Sequence, residues 1–328
     1  MAGYNTIRGL RVKYLSADPA NPEAGQVWYN STTGNLRLDG IALAGTWAAG
    51  TAFPTATRFA AGSGTQTAAL VFGGLAPGAV GTTLKYDGSS WTSTGSLNTA
   101  RASASASSGT QTASLAFGGF PSGNQATESF NGTSWTNLGN MTATVVQRGG
   151  LGTQTAAIAA GGQLGSSPYA TQNNAESWNG SSWTAVSTIN TSRNAMASCG
   201  TQAAGLIFLG NVPPRSAATE SWDGSSWTSV SSANTSRGNT PGGVGTQTAA
   251  LAYGGALPPN AATGATELWD GSSWTTNPSS MGTARYQPSS SGTQAAALGS
   301  GGSTGPSLLT STEEFTGPSI ITKNITTS

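Results

Sequence analysis

The sequence predicts an all-β fold, a β-propeller of six four-stranded blades closed by an N-terminal strand around Trp47, and three observations carry that prediction. First, the string GTQTAALVFGG at residue 64 returns almost unchanged at 109, 152, 200, 245 and 292, at spacings of 45, 43, 48, 45 and 47 residues. Units of that length stack or ring with their neighbours. Second, strings of the form KYDGSSWT stand at 85, 129, 177, 221 and 268, between successive copies of the first. Third, no unit places apolar residues at helical spacing, and glycine, at 47 of 328 residues, is too frequent for helix.

Each unit reads as four antiparallel strands. Strand A precedes Gly-Thr-Gln, B follows it and ends in Gly-Gly, C ends at Asp-Gly or Asn-Gly, and D starts at the Trp. Asp-Gly and Asn-Gly suit two-residue hairpin turns, whose central positions need positive φ. Such units fit propeller blades and are too long for the rungs of a parallel β-helix; closing the ring also hides the apolar face that an open array would leave bare.

The D-strand tryptophans are Trp47, Trp91, Trp135, Trp183, Trp227 and Trp274. The first precedes the first Gly-Thr-Gln and the last Gly-Thr-Gln has no Trp after it. The strand around Trp47 is therefore expected to complete the sixth blade, whose other strands come from about 286–316. Residues 45–317 form the propeller in this reading. Residues 1–44 form an N-terminal arm, in which GQVWYNSTTGNLRLDG makes a separate hairpin turning at Ser31 to Gly34, and residues 318–328 form a C-terminal tail.

Composition narrows the function. The formal net charge is +1 and the 13 Lys and Arg residues are dispersed, which argues against nucleic acid and anionic membrane as partners. No stretch approaches the length of a membrane span, and MAGYNTIRGLRVKYLS lacks the apolar core of a signal peptide, so no membrane insertion is expected and synthesis is placed in a bacterial cytoplasm. The single cysteine, Cys199, reads as a small buried filler in strand A. With no histidine, Ser-His-Asp triads, Cys-His pairs and His-containing metal sites are unavailable. Gly301 to Gly305 matches G-x-S-x-G but lacks the strand-turn-helix setting and a base. The expectation is a non-enzymatic protein with no catalytic residue, metal or cofactor.

The arginine opening strand A, the Gly-Gly ending B, the aromatic on C and the Trp about five residues later resemble the kelch repeat over about residues 45–317. The wording of the units, with the lead-in IRGLRVKYLSADPANPEAGQVWYNSTTGNLRL, further resembles kelch-like virion proteins of tailed bacteriophages, particularly those of marine bacteria. That resemblance implies a virion structural protein, a tail fibre or other appendage. Its N-terminal arm would hold other virion proteins, with Arg8, Arg11, Tyr14, Trp28 and Tyr29 as candidate contacts. A host receptor or glycan, and a homo-oligomer, are further partners it allows. The alternative is a carbohydrate-binding or protein-interaction propeller unconnected with a virion. Blade four departs from the pattern with Leu209-Gly210, and blade six with Ser300 in place of an aromatic.

Charged residues recur in register. Arg58, Arg101, Arg148, Arg193, Arg237 and Arg285 open the A strands, and Glu128, Glu176, Glu220, Glu267 and Glu313 fall early in five C strands. They could form a ring gripping a ligand. One pair per blade fixing strand register is preferred, because a buried charge needs a hydrogen-bonded partner. Blade one holds Leu84 in the Glu slot, so Arg58 must find another acceptor or stay solvated. The repeated tryptophans and the C-strand aromatics are assigned to packing between blades rather than to sugar stacking.

The A-B and C-D turns are nearly identical in every unit and share one face of the ring. The B-C and D-A loops share the other face and vary, and variable loops on a rigid scaffold are where recognition is usually placed. They carry the candidate binding residues Phe120, Pro121, Tyr169, Arg215 and Pro258. Both chain ends are expected to leave from the uniform face.

Overall fold

The computed structural model describes residues 12–19, 26–102, 105–121, 125–165, 167, 169–212 and 215–324. These residues contain strands, bridges and turns and no helix. They divide into two compact units, one of residues 46–316 and one made of both chain ends, up to residue 45 and from residue 317.

The larger unit consists of six four-stranded antiparallel sheets with two-stranded ribbons beside them. The A strands are Ala61–Thr65, Ser105–Gly109, Gly149–Gly152, Ala197–Gly200, Gly242–Gly245 and Ser289–Gly292. The B strands are Ala68–Phe72, Ser114–Phe117, Ala157–Ala160, Gly205–Phe208, Ala250–Tyr253 and Ala296–Ser300. The C strands are Thr83–Tyr86, Thr127–Phe130, Ala175–Trp178, Thr219–Trp222, Thr266–Trp269 and Thr312–Thr316. Strand D is Trp91–Thr94, Trp135–Leu138, Trp183–Val186, Trp227–Val230, Trp274–Asn277 and, for the sixth sheet, Thr46–Gly50. As expected from the position of Trp47, this early strand pairs with the last C strand, Trp47 opposite Phe315.

Each A strand contacts the A strand of the sheet before and after it, and the sixth contacts the first, which makes a β-propeller ring. Composition follows position in the blade. The A strands crowd the axis and are built mostly from Gly, Ala and Ser; a Cβ on Gly62 would lie 2.4 Å from the Ser290 carbonyl oxygen of the neighbouring strand. The B strands are covered on both faces and read as short continuous apolar runs such as LVF and LIF. The D strands bury or half-bury the Trp and expose the residues after it.

The C-D turns correct the two-residue expectation. Tyr86 pairs with Trp91, so Asp87 to Ser90 forms a four-residue loop in which Gly88 takes positive φ. The Asp87 Oδ1 accepts from the Ser89 and Ser90 amides at 2.8 and 2.7 Å, an Asx turn that fixes the loop without a positive φ at Asp. The same donors hold the Asp270 carboxyl down to about 2, the Ser272 hydroxyl first among them.

In the smaller unit the expected hairpin of Gln26–Asn30 and Asn35–Leu43 is present, turning at residues 31–34. Lys13–Leu15 adds to its first strand in parallel. The segment expected as a free tail is instead a strand, Ser319–Asn324, pairing antiparallel with Asn35–Leu43 from Leu43↔Ser319 to Arg37↔Asn324. The physical reason is the open edge of Asn35–Leu43, whose amides and carbonyls need partners, and the β-branched Ile-Ile-Thr run that supplies them. Asp18 ties the sheet together, accepting from the Trp28 indole at 2.9 Å and Asn30 Nδ2 at 2.8 Å and pairing with Arg37.

Candidate functional site

The repeated charges are brought together as pairs. Arg101 with Glu128, Arg148 with Glu176 (2.5 Å), Arg193 with Glu220, Arg237 with Glu267 (2.8 Å) and Arg285 with Glu313 are all buried ion pairs. Burial lowers the pKa of each guanidinium, and the neighbouring carboxylate opposes that shift. Each Glu also accepts from amides of the segment arriving from the preceding blade, as Glu128 does from Asn98 and Thr99. In four blades the Arg bonds the carbonyls that flank the B-C loop, as Arg101 does with Gly118 and Ala126. Every donor and acceptor so engaged is turned inward. Arg58, whose blade holds Leu84 in the Glu position, has no ion pair among the described residues and lies over the Phe59 ring.

Two further locks were not legible in the sequence. The Gln of each Gly-Thr-Gln donates its side-chain amide to carbonyls of the preceding blade; Gln111, for example, reaches Ala69 at 3.2 Å and Tyr86 at 2.7 Å. Gln66 closes the set by reaching Ala297 and Phe315 of the last blade. In four junctions the D-strand Trp donates its indole N–H to the Thr that opens the preceding C strand: Trp135 to Thr83, Trp183 to Thr127, Trp274 to Thr219 and Trp47 to Thr266. The uniform face thus spends its recurring side chains on joining blades.

The variable face differs. Phe120 and Tyr169 are 49% and 58% exposed and line one cavity of about 220 Å³ with Phe59, Val146, Gln147 and Gln163. Phe59, Gln147 and Tyr169 all take positive φ, as Ala195, Leu209, Asn239, Thr240 and Gln287 do outside this lining. These lining residues come from three successive blades, so no local motif announces them. The nearest signal in the sequence was the aromatic in each of two loops.

A relay of side chains runs from this cavity across the face. Arg215 Nη1 donates to Asn211 Oδ1 at 2.5 Å, Asn211 Nδ2 to Asn194 Oδ1 at 2.9 Å, and Asn194 Nδ2 to Gln163 Oε1 at 2.5 Å. Arg215 also donates to Asn260 Oδ1 at 2.8 Å. Of the candidate binding residues, Phe120 and Tyr169 therefore meet at one site and Arg215 is joined to it through the relay. Pro121 follows Phe120 in the same exposed loop, and Pro258 is exposed on a different one, outside the cavity lining.

Of the candidate arm contacts, Trp28 is fully buried and serves its own sheet, which corrects its assignment to attachment. Tyr14 is 78% exposed with its ring 5.1 Å from that of Tyr29. Arg8 and Arg11 lie outside the described residues.

No protein-family model matches the chain, and no curated protein matches it in sequence. Among solved structures it is similar to YjhT, with a TM-score of 0.69 and 14% identity over 83% of this chain and 99% of that one. The likeness is one of fold. A β-propeller fits the six sheets and their closed cycle of inner strands.

Proposed function

We propose that the chain is a non-enzymatic structural and recognition protein of a tailed-phage virion, anchored through its N-terminal unit and reading the host surface with its variable face. The virion assignment rests on the resemblance of the repeat units and lead-in to phage appendage proteins. The recognition role is carried by one observation: Phe120 and Tyr169, exposed on separate variable loops, converge on a single cavity. Large aromatics on a soluble surface cost hydration and mark interaction sites when clustered. On the anchoring side, Tyr14 presents a comparable exposed ring.

The test uses the full chain, captured on purified virion components and separately on bacterial envelope fragments. Exchanging Phe120 and Tyr169 together for serine is expected to abolish envelope capture and spare virion capture, while Tyr14→Ser does the opposite. Envelope capture that survives the double exchange overturns the recognition role. Virion capture that is absent for the wild-type chain overturns the assignment to a virion.

A further inference from the structure

We infer that the cavity between Phe120 and Tyr169 binds a neutral pyranose sugar, an inference that rests on the recognition role proposed above. The lining supplies aromatic rings, small apolar surface and two side-chain amides, with no charged side chain among the described residues. An occupant matched to it needs an apolar face for the rings, hydroxyls for the amides, and no net charge. A pyranose has a C–H face and a rim of hydroxyls and meets all three. The volume of about 220 Å³ lies below the roughly 300–1,000 Å³ of pockets for drug-sized ligands, which limits the occupant to about one ring.

The relay sets what the site offers. An amide can be turned either way in most surroundings, but a guanidinium and a backbone N–H can only donate. Asn211 Oδ1 receives both kinds of donor, from Arg215 at 2.5 Å and from the Asn239 amide at 3.2 Å. Its Nδ2 must then donate to Asn194, and Asn194 in turn to Gln163 Oε1. The orientation passes down the chain and leaves Gln163 Nε2 as the group without a protein partner among the described residues, at the cavity wall. The Gln147 side chain beside it makes no hydrogen bond among the described residues and can donate or accept. A fixed donor and an adaptable amide in a cavity also lined by aromatic rings suit a pair of neighbouring ring hydroxyls. Arg215 is a positioning residue in this arrangement: it never reaches the sugar, and together with the Asn239 amide it sets which end of Gln163 does.

Saturation-transfer NMR on the full chain with the methyl glycosides of glucose, galactose and mannose tests this. At least one is expected to bind at millimolar strength, with transfer strongest to the C–H protons of one ring face. Phe120→Ala and Tyr169→Ala, both at exposed positions, should remove the signal, and Gln163→Leu should weaken binding about tenfold, as loss of a hydrogen bond of about 1.4 kcal/mol would. Arg215→Lys keeps a donor-only group against Asn211 and should retain binding. Arg215→Met leaves Asn211 Oδ1 held by the 3.2 Å Asn239 amide alone in place of the 2.5 Å guanidinium, which loosens the relay, and should lower affinity at an unchanged melting temperature, a difference that a merely structural arginine would not give.

Transfer from none of the three glycosides, binding only of acidic sugars, or undiminished transfer in Tyr169→Ala overturns the inference. The same variants are tested in parallel for envelope capture. Loss of capture without any sugar binding overturns the sugar and leaves the recognition role standing; capture untouched by the variants overturns both.

Discussion

Trp227 is the side chain whose neighbourhood breaks the repeat most plainly. Its indole N–H is buried without an acceptor among the described residues, because the preceding C strand opens with Ala175 where other blades have Thr. The B-strand aromatic that packs on D-strand tryptophans elsewhere, as Phe72 packs on Trp135, is here Ala160. A converse vacancy exists at Thr312, whose hydroxyl is buried without a partner among the described residues because Trp91 donates to the Thr51 carbonyl instead. Ala175→Thr should therefore stabilise the protein by about 1 kcal/mol, by giving the orphaned indole an acceptor. Thr83→Ala should destabilise it by about 1–3 kcal/mol, by orphaning Trp135 in the same way. Denaturant titration of both variants measures this, and a destabilised Ala175→Thr would show that the added methyl and hydroxyl overpack the site.

The blade is held to its neighbour by carboxylates acting at a distance from their own strands. Glu176 accepts from the Thr142 amide at 2.8 Å and hydroxyl at 2.6 Å, on the segment leaving blade two, while Arg148 bonds its other oxygen. Burial pushes this carboxyl up, but the Thr142 hydroxyl and the Arg148 guanidinium outweigh it, so its pKa lies below the ordinary 4.5. A folded-state pKa below the unfolded one means the contribution is complete above about 4.5 and is lost as pH falls through the folded value. The stability difference between wild type and Glu176→Gln, measured by urea unfolding, should thus be constant above that value and shrink below it. A difference that persists unchanged into strong acid would show that the ionised carboxylate is not what holds the linker. At this scale the sequence was readable wherever one residue type is demanded in every unit, which is why strands, sheet number and Arg-Glu pairs could be anticipated. The Gln latches were hidden because their acceptors are main-chain carbonyls, which carry no residue identity. The cavity was hidden because Phe59, Phe120 and Tyr169 meet only after three blades have formed.

For the whole molecule, ring closure is a pairing of distant segments, and Cys199 can report it. The thiol sits on an inner strand, 7% exposed, where burial pushes its pKa far up. It should stay unreactive toward thiol reagents in the native protein and label only as the ring opens, at a rate that follows global unfolding across a denaturant series. Fast labelling in native buffer would show that the inner strands part locally. The closing strand Thr46–Gly50 finds its partner in Thr312–Thr316, and Asn35–Leu43 finds one in Ser319–Asn324. On the ribosome these partners are made at opposite ends of the job. Residue 312 follows residue 50 by 262 positions, a wait of about 13–50 s at roughly 5–20 residues per second. Through that interval the first strands stand without the neighbours they will later bond, and blades one to five have nothing across the gap. Translation that stops before the sixth unit yields five stacked sheets with two uncovered ends, so the finished ring is itself a certificate that the message was read through residue 316.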